Sequence, residues 1–261
     1  MLQRPICYVC CSHPAPEWRW VGGAVETRLR HHLTGPTTQR APAADGGGDA
    51  VFLQMRGEPI MVMTVQAPPA DVADDAAQRA AWPGCQEASR TWRSHFVVSA
   101  MDAADHLADR RAAVENTMRV AATLVGVAKG DAIGWGPSGL FHPAADFAER
   151  VAHNPLHPDN LVRCDWSVGS DTGALGAQTR GLSAFGLPEL SHVSSEEDRR
   201  TIQTRLVSLA AYVIAHGPVF RPGETVGADA RTQARVETGQ DLNGAPLLIV
   251  TPEFRTVSRA A

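Results

Sequence analysis

Short apolar runs, four to eight residues long and stopped by glycine or proline, limit most strongly what this chain can fold into. VFLQMR (51–56) and PIMVMTVQ (59–66) are two such runs, separated by Gly57 and Glu58, and read as two strands joined by a tight turn. HFVVSA (95–100), AIGW (132–135) and ICYVCCS (6–12) read as further strands. LVRCDWSV (161–168) puts Val162, Cys164, Trp166 and Val168 on one face and Arg163, Asp165 and Ser167 on the other, the pattern of a half-buried strand. Residues 225–237 and 246–251 read as closing strands, with a turn at Asn243 and Gly244.

Few segments have a helical period. Leu107, Val114, Met118, Ala121 and Val125 share one face of a helix over 102–127, with Asp102 to cap it and Lys129 and Gly130 to end it. Shorter helices are expected near Glu26–Leu33, over 70–81 ahead of Trp82, Pro83 and Gly84, and over 145–153. In the second half Ser194 and Glu197 have capping-box spacing, Ile202, Leu206, Leu209 and Val213 form a buried stripe, and His216, Gly217 and Pro218 close the helix. AIGW is followed by a Gly/Pro loop. Runs of strands punctuated by single amphipathic helices predict an α+β (mixed α/β) fold, a sheet with helices packed on it. Two ferredoxin-like halves is the specific version. The expected organisation is an N-terminal strand, helix and Gly/Pro loop over 1–45, a first half over 50–155 and a second over 156–261.

Charge and cysteine usage exclude several functions. Lys129 is the only lysine, so the other basic residues are arginines, and they are scattered through a chain of net charge −4. A nucleic-acid binder carries a basic stripe, and none is present. With one lysine and no G-x-x-x-x-G-K-[ST], a P-loop is excluded. G-x-S-x-G and H-E-x-x-H are also absent, and no apolar run is long enough to span a membrane. The opening MLQRPICYVCCSHP has too short and Cys-rich an apolar stretch for a secretory signal, and five cysteines are not a disulfide framework, so a reducing cytoplasm is expected.

Cys7, Cys10, Cys11 and His13, with His31 and His32 as further donors, are the weak metal candidates. In a strand Cys7 and Cys11 face one way and Cys10 the other, which opposes a chelate and favours small buried hydrophobes. No cofactor is expected. Glu189 stands beside Pro188 in an apolar segment, with Arg180 nine residues earlier. It is either a carboxylate satisfied by Arg180 or by backbone N–H groups, or a general base. His95, at a strand start, is either structural or a base or ligand.

The segment TRGLSAFGLPEL (179–190), a helix ending near YVIAHG (212–217) and PGETVG (222–227) together resemble the bacterial family catalogued as domain of unknown function 4261. Thr179, Gly181, Leu182, Phe185, Gly186 and Glu189 match its T-x-G-[LM]-x-x-F-G-x-x-E segment, and Gly223, Thr225, Val226 and Gly227 match its G-x-T-[VI]-G segment. Upstream strands such as IMVMTVQAP (60–68) and SHFVVSA (94–100) extend the resemblance over roughly 50–250. Ser191 stands where members often carry a second acidic residue, which weakens any paired-carboxylate mechanism. In physical terms Gly181 and Gly186 are expected to bracket a strand, with Phe185 as a core anchor. The resemblance implies a protein-binding role, that of an immunity or accessory protein for a toxin or secreted effector in a type VI or similar secretion locus. Acidic runs at Asp71, Asp74 and Asp75 or at Glu196, Glu197 and Asp198 are surfaces for a basic partner, or solvated helix starts. The alternative is a hydrolytic or metal-assisted enzyme with a cleft near Glu189, Arg180 and His95.

Overall fold

A computed structural model describes residues 5–35, 39–41, 50–56, 58–69, 82–101, 106–170, 173–227, 233–241 and 244–252. The expected helix over 70–81, the cap at Asp102, the acidic run at Asp71, Asp74 and Asp75, most of the Gly/Pro loop over 36–49 and Asn243 lie outside them. The fold is α+β. It divides into two units, Met1–Leu161 and Val162–Ala261.

The first unit is built on a sheet of seven strands. These are β1 (Ile6–Cys11), β2 (Gln39–Ala41), β3 (Ala50–Met55), β4 (Glu58–Val65), β5 (Ser94–Ala100), β6 (Ala132–Trp135) and β7 (Leu140–Pro143), in the order β2-β3-β4-β5-β1-β6-β7 and antiparallel throughout. The nearly continuous apolar character of β1 and β5 puts them at the centre, where both sheet faces are covered. Val9 lies opposite Phe96 on one side and Ile133 on the other, and all three are sealed from solvent. β1 is thus integral to this sheet. The helices are α1 (Trp18–Leu29), the short α2 (Cys85–Ser89), α3 (Leu107–Ala128), α4 (Ala144–His153) and the single-turn α5 (Pro158–Leu161). α3 lies on β1 and β5 with α1 and α4 beside it. Its buried face is wider than the expected stripe, taking in Ala113, Val120 and Leu124 with Val114, Met118 and Ala121, because it meets both sheet and helices. Lys129 ends it in a left-handed conformation, its N–H donating to Val125 O.

Among the described residues the second unit has six strands, β8 (Arg163–Val168), β9 (Leu175–Arg180), β10 (Glu189–Ser194), β11 (Thr225–Val226), β12 (Ala234–Gln240) and β13 (Pro246–Pro252). Their order is β11-β12-β13-β10-β9-β8, and only the β10–β13 pair is parallel. A parallel neighbour demands a long crossover, and α6 (Arg199–His216) lies within it. Ile202, Leu206, Ala210 and Val213 of α6 are buried, and the helix packs on β9 and β10. Leu209, expected in that stripe, is only half-buried.

Both sheets are wider than the four strands of a ferredoxin-like βαββαβ unit. Three local expectations are also corrected. β7 occupies part of the expected Gly/Pro loop, because pairing with β6 supplies the order that Pro143 and Gly139 conceal. α1 begins at Trp18 rather than near Glu26. α6 is capped by Asp198, whose carboxylate accepts from Thr201 N at 2.7 Å. Ser194 instead ends β10 and turns the chain, its Oγ accepting from Glu196 N and Glu197 N at 3.2 and 3.1 Å.

Candidate functional site

Glu189 opens β10, and Thr179 sits near the end of the antiparallel β9. The residues between them do not form the strand expected between Gly181 and Gly186. They form a 3-10 turn, Leu182–Phe185, with Gly181 at φ 122° before it and Gly186 at φ 70° after it. Both angles lie where side-chain-bearing residues are strained, so the two glycines are what lets the turn start and stop so abruptly. Leu182, Ala184 and Phe185 of the turn are buried.

The start of a 3-10 turn exposes backbone N–H groups that need acceptors. Glu189 supplies one: Oε1 accepts from Gly181 N at 3.0 Å and from Ser183 N at 3.1 Å. Oε2 accepts from the Thr179 hydroxyl at 2.8 Å, and that hydroxyl in turn accepts from Leu190 N at 2.8 Å. The carboxylate therefore ties β9, the turn and β10 into one closed loop. Burial pushes the Glu189 carboxyl above the ordinary carboxylate range, and the donors from Thr179, Ser183, Gly181 and Leu182 hold back part of that rise.

Arg180 takes no part in this clamp. Side chains alternate along β9, so with Thr179 buried Arg180 emerges on the opposite face, where it pairs with Asp165 of the neighbouring β8. Asp165 also meets Arg163, Nε to Oδ1 at 2.8 Å. His95 belongs to the first unit, on β5, where its Nδ1 meets Ala67 O at 2.7 Å and its ring meets Tyr8 edge-on at 5.9 Å. Burial lowers its pKa, offset in part by that carbonyl.

The N-terminal cysteines lie on β1, with Cys7, Cys10 and Cys11 all buried. Cys7 Sγ lies 3.9 Å from Met118 Sδ of α3. Cys10 joins Cys85, Trp92, Ala132 and Phe141 in a separate apolar cluster, with Trp92 and Phe141 stacked at 5.5 Å. The odd–even alternation of the strand separates them. Burial pushes the Cys7 and Cys10 thiols far up and Cys11 and Cys85 to about 11. His13 meets Pro14 O at 3.0 Å and Lys129 O at 3.3 Å. Among the described residues no group of three or more His, Cys, Asp or Glu side chains could hold a metal ion, and no helix is long and apolar enough to cross a membrane.

Two features of the second unit were not read from the sequence. His192, fully buried on the helix-facing side of β10, has its Nε2 at 2.5 Å from Glu197 Oε2. Arg205 of α6 clasps the same carboxylate with both terminal nitrogens, each at 2.6 Å. The alternation of Leu190, His192 and Ser194 toward the core is the signal that could have revealed His192. The acidic run at 196–198 is correspondingly not one solvated surface. Glu197 turns inward to Arg205 and His192, and Asp198 caps α6.

The second feature is a groove of about 520 Å³ between α6 and β11. Thr201, Thr204, Ser208 and Leu209 line it from the helix, Val226 from β11 and Gly227 from just after it, and Arg200 and Arg205 stand in its wall. The loop before β11 is fixed by Gly223 N donating to Val236 O at 2.7 Å and by Val236 N donating to Glu224 O at 2.9 Å. The two motif segments thus have different work. The 179–190 segment closes a structural clamp, and the 222–227 segment forms one wall of the groove.

Residues 178–249 match the family described as Domain of unknown function (DUF4261), which supports the resemblance over the second unit from β9 into β13. No curated protein and no solved structure matches the chain.

Proposed function

We propose that this chain with its DUF4261 segment is a soluble bacterial cytoplasmic binding protein, an immunity or accessory protein for a toxin or effector of a type VI or similar secretion system. The observation that carries the reading is the fate of Glu189. The residue with the most enzyme-like sequence context has both carboxylate oxygens committed to Thr179, Gly181 and Ser183, while the 222–227 segment forms one wall of a groove along α6.

The groove suits an extended peptide segment of a protein partner. Leu209 and Val226 offer apolar contact, Thr201, Thr204 and Ser208 offer hydroxyls, and Arg200 favours an acidic residue at the mouth. The test is affinity purification of the tagged chain from its own host, co-expressed with the products of the neighbouring genes. A stoichiometric complex with a neighbouring product, lost when Thr204→Arg fills the groove, is the expected result. Thr204 is exposed, so this substitution leaves the core untouched. Absence of any complex with those products, or a complex that Thr204→Arg binds as tightly as the native chain, contradicts the proposal.

A further inference from the structure

The first unit contains a second cavity, about 300 Å³, whose lining differs in kind from the groove in the second unit. Arg28 in the last turn of α1, His32 just beyond that helix and Arg119 of α3 all line it, and small residues of α4, Ala148 and Ala152, leave it room. The packing is particular to these side chains. A Cβ at Gly126 would stand 2.7 Å from Arg28 Nη1, so the absence of a side chain there lets the guanidinium lie against α3. Arg56 closes the hairpin between β3 and β4 at φ 42°, a left-handed conformation rare for arginine. Its Nη2 lies 3.4 Å from His32 Nδ1, and its N–H donates to His32 O at 3.3 Å. With Nδ1 facing a guanidinium, the hydrogen bond assigns the imidazole proton to Nε2, leaving that N–H to donate.

The charge balance is one-sided. Arg28, Arg56 and Arg119 gather around His32, and among the described residues Glu115 is the carboxylate set against them. Glu115 Oε1 takes Nε and Nη2 of Arg119 at 3.1 and 2.8 Å, and Arg119 Nη1 has no partner among the described residues. Arg28 has no carboxylate partner among them either. Uncommitted guanidinium donors beside a neutral imidazole N–H match the tetrahedral, multiply accepting oxygens of a phosphoryl group.

We propose that this cavity binds the phosphoryl group of a small soluble phosphate monoester, held by Arg28 and Arg119 with His32 as the third donor. Burial and the charges of Arg119 and Arg56 lower the His32 pKa. A bound dianion reverses the sign of the local field and raises it.

The experiment is calorimetric titration of the full chain with inorganic phosphate and with ribose 5-phosphate at constant ionic strength, paired with NMR titration of the His32 ring. Saturable binding of either ligand is expected, weakened about tenfold or more by Arg28→Gln. Arg30→Gln, on the same helix end but paired with His31, leaves it unchanged. The ligand raises the His32 pKa in the native chain and not in Arg28→Gln. Vesicles containing phosphatidic acid present the same chemistry on a membrane. Binding to them and to neither soluble ligand overturns the proposal. So does the lack of saturable binding, an Arg28→Gln chain that binds like the native one, or an equal loss in Arg30→Gln.

Discussion

Each unit buries a histidine next to an arginine, and the two solve the resulting electrostatic problem differently. In the first, His142 of β7 lies with its Nδ1 3.0 Å from Arg150 Nη2 of α4, and Arg150 Nε donates to Asn160 Oδ1 at 2.6 Å. His142 and Asn160 are 4% and 0% exposed, and among the described residues no carboxylate enters the network. In the second, Glu197 stands between His192 and Arg205 and accepts from both. A half-buried guanidinium needs acceptors, and a neutral amide or imidazole supplies them without balancing the charge. The first network therefore holds its histidine neutral: burial first, then the Arg150 charge, push the His142 pKa down to about 4, against a small opposing effect of the Asn160 backbone. The second balances its charge internally and rests on one carboxylate.

Removing that carboxylate should do the most damage. Glu197→Ala strands Arg205 and His192 in a site where Glu197 is only 12% exposed, and should cost about 4 kcal/mol in urea unfolding of the second unit. The first network should break with acid instead. His142 has a depressed pKa, so between its unfolded value near 6.5 and about 4 the unfolded chain binds a proton that the folded chain refuses. Stability falls as pH drops through that window, by about 3 kcal/mol in all, and His142→Asn should flatten this part of the pH profile. Thermal melts from neutral pH to pH 4 check it. Glu189→Ala, which opens the clamp but strands no cation, should cost about 2–3 kcal/mol, with Glu189→Gln nearer half of that. Ser194→Ala loosens only the turn that delivers Glu197, through two long hydrogen bonds, and should cost about 1 kcal/mol. If Ser194→Ala and Glu197→Ala combine to less than the sum of their separate costs, the turn acts through Glu197.

What the sequence made legible follows the reach of its signals. The strands at 51–56, 59–66, 95–100 and 132–135 were readable because local pattern and burial agree there. Strand alternation likewise puts Cys7 and Cys10 on opposite sides of β1, where they belong to separate apolar surroundings. The failures share a cause: each depends on where one element yields to the next. Gly181 and Gly186 were read as bracketing a strand, whereas they bracket a 3-10 turn. Without that turn, the N–H groups awaiting Glu189 could not be foreseen, and Arg180 was as plausible a partner as the backbone. Ser194 and Glu197 have capping-box spacing, yet the strand extends to Ser194 and hands the cap to Asp198. Leu209 fits a helical stripe by spacing and falls at its edge beside the groove. His142, Arg150 and Asn160 come from a strand and two helices, and no local period links them.

Amide hydrogen exchange at Gly181 and Ser183 tests most directly whether Glu189 is committed to the fold. Both N–H groups donate to its carboxylate, so they should be protected in the native chain and exchange much faster in Glu189→Ala, while amides in the middle of β5 stay as slow as before. Fast exchange of Gly181 and Ser183 in the native chain would show a free carboxylate and contradict the clamp, and with it the reason for preferring a binding protein to an enzyme.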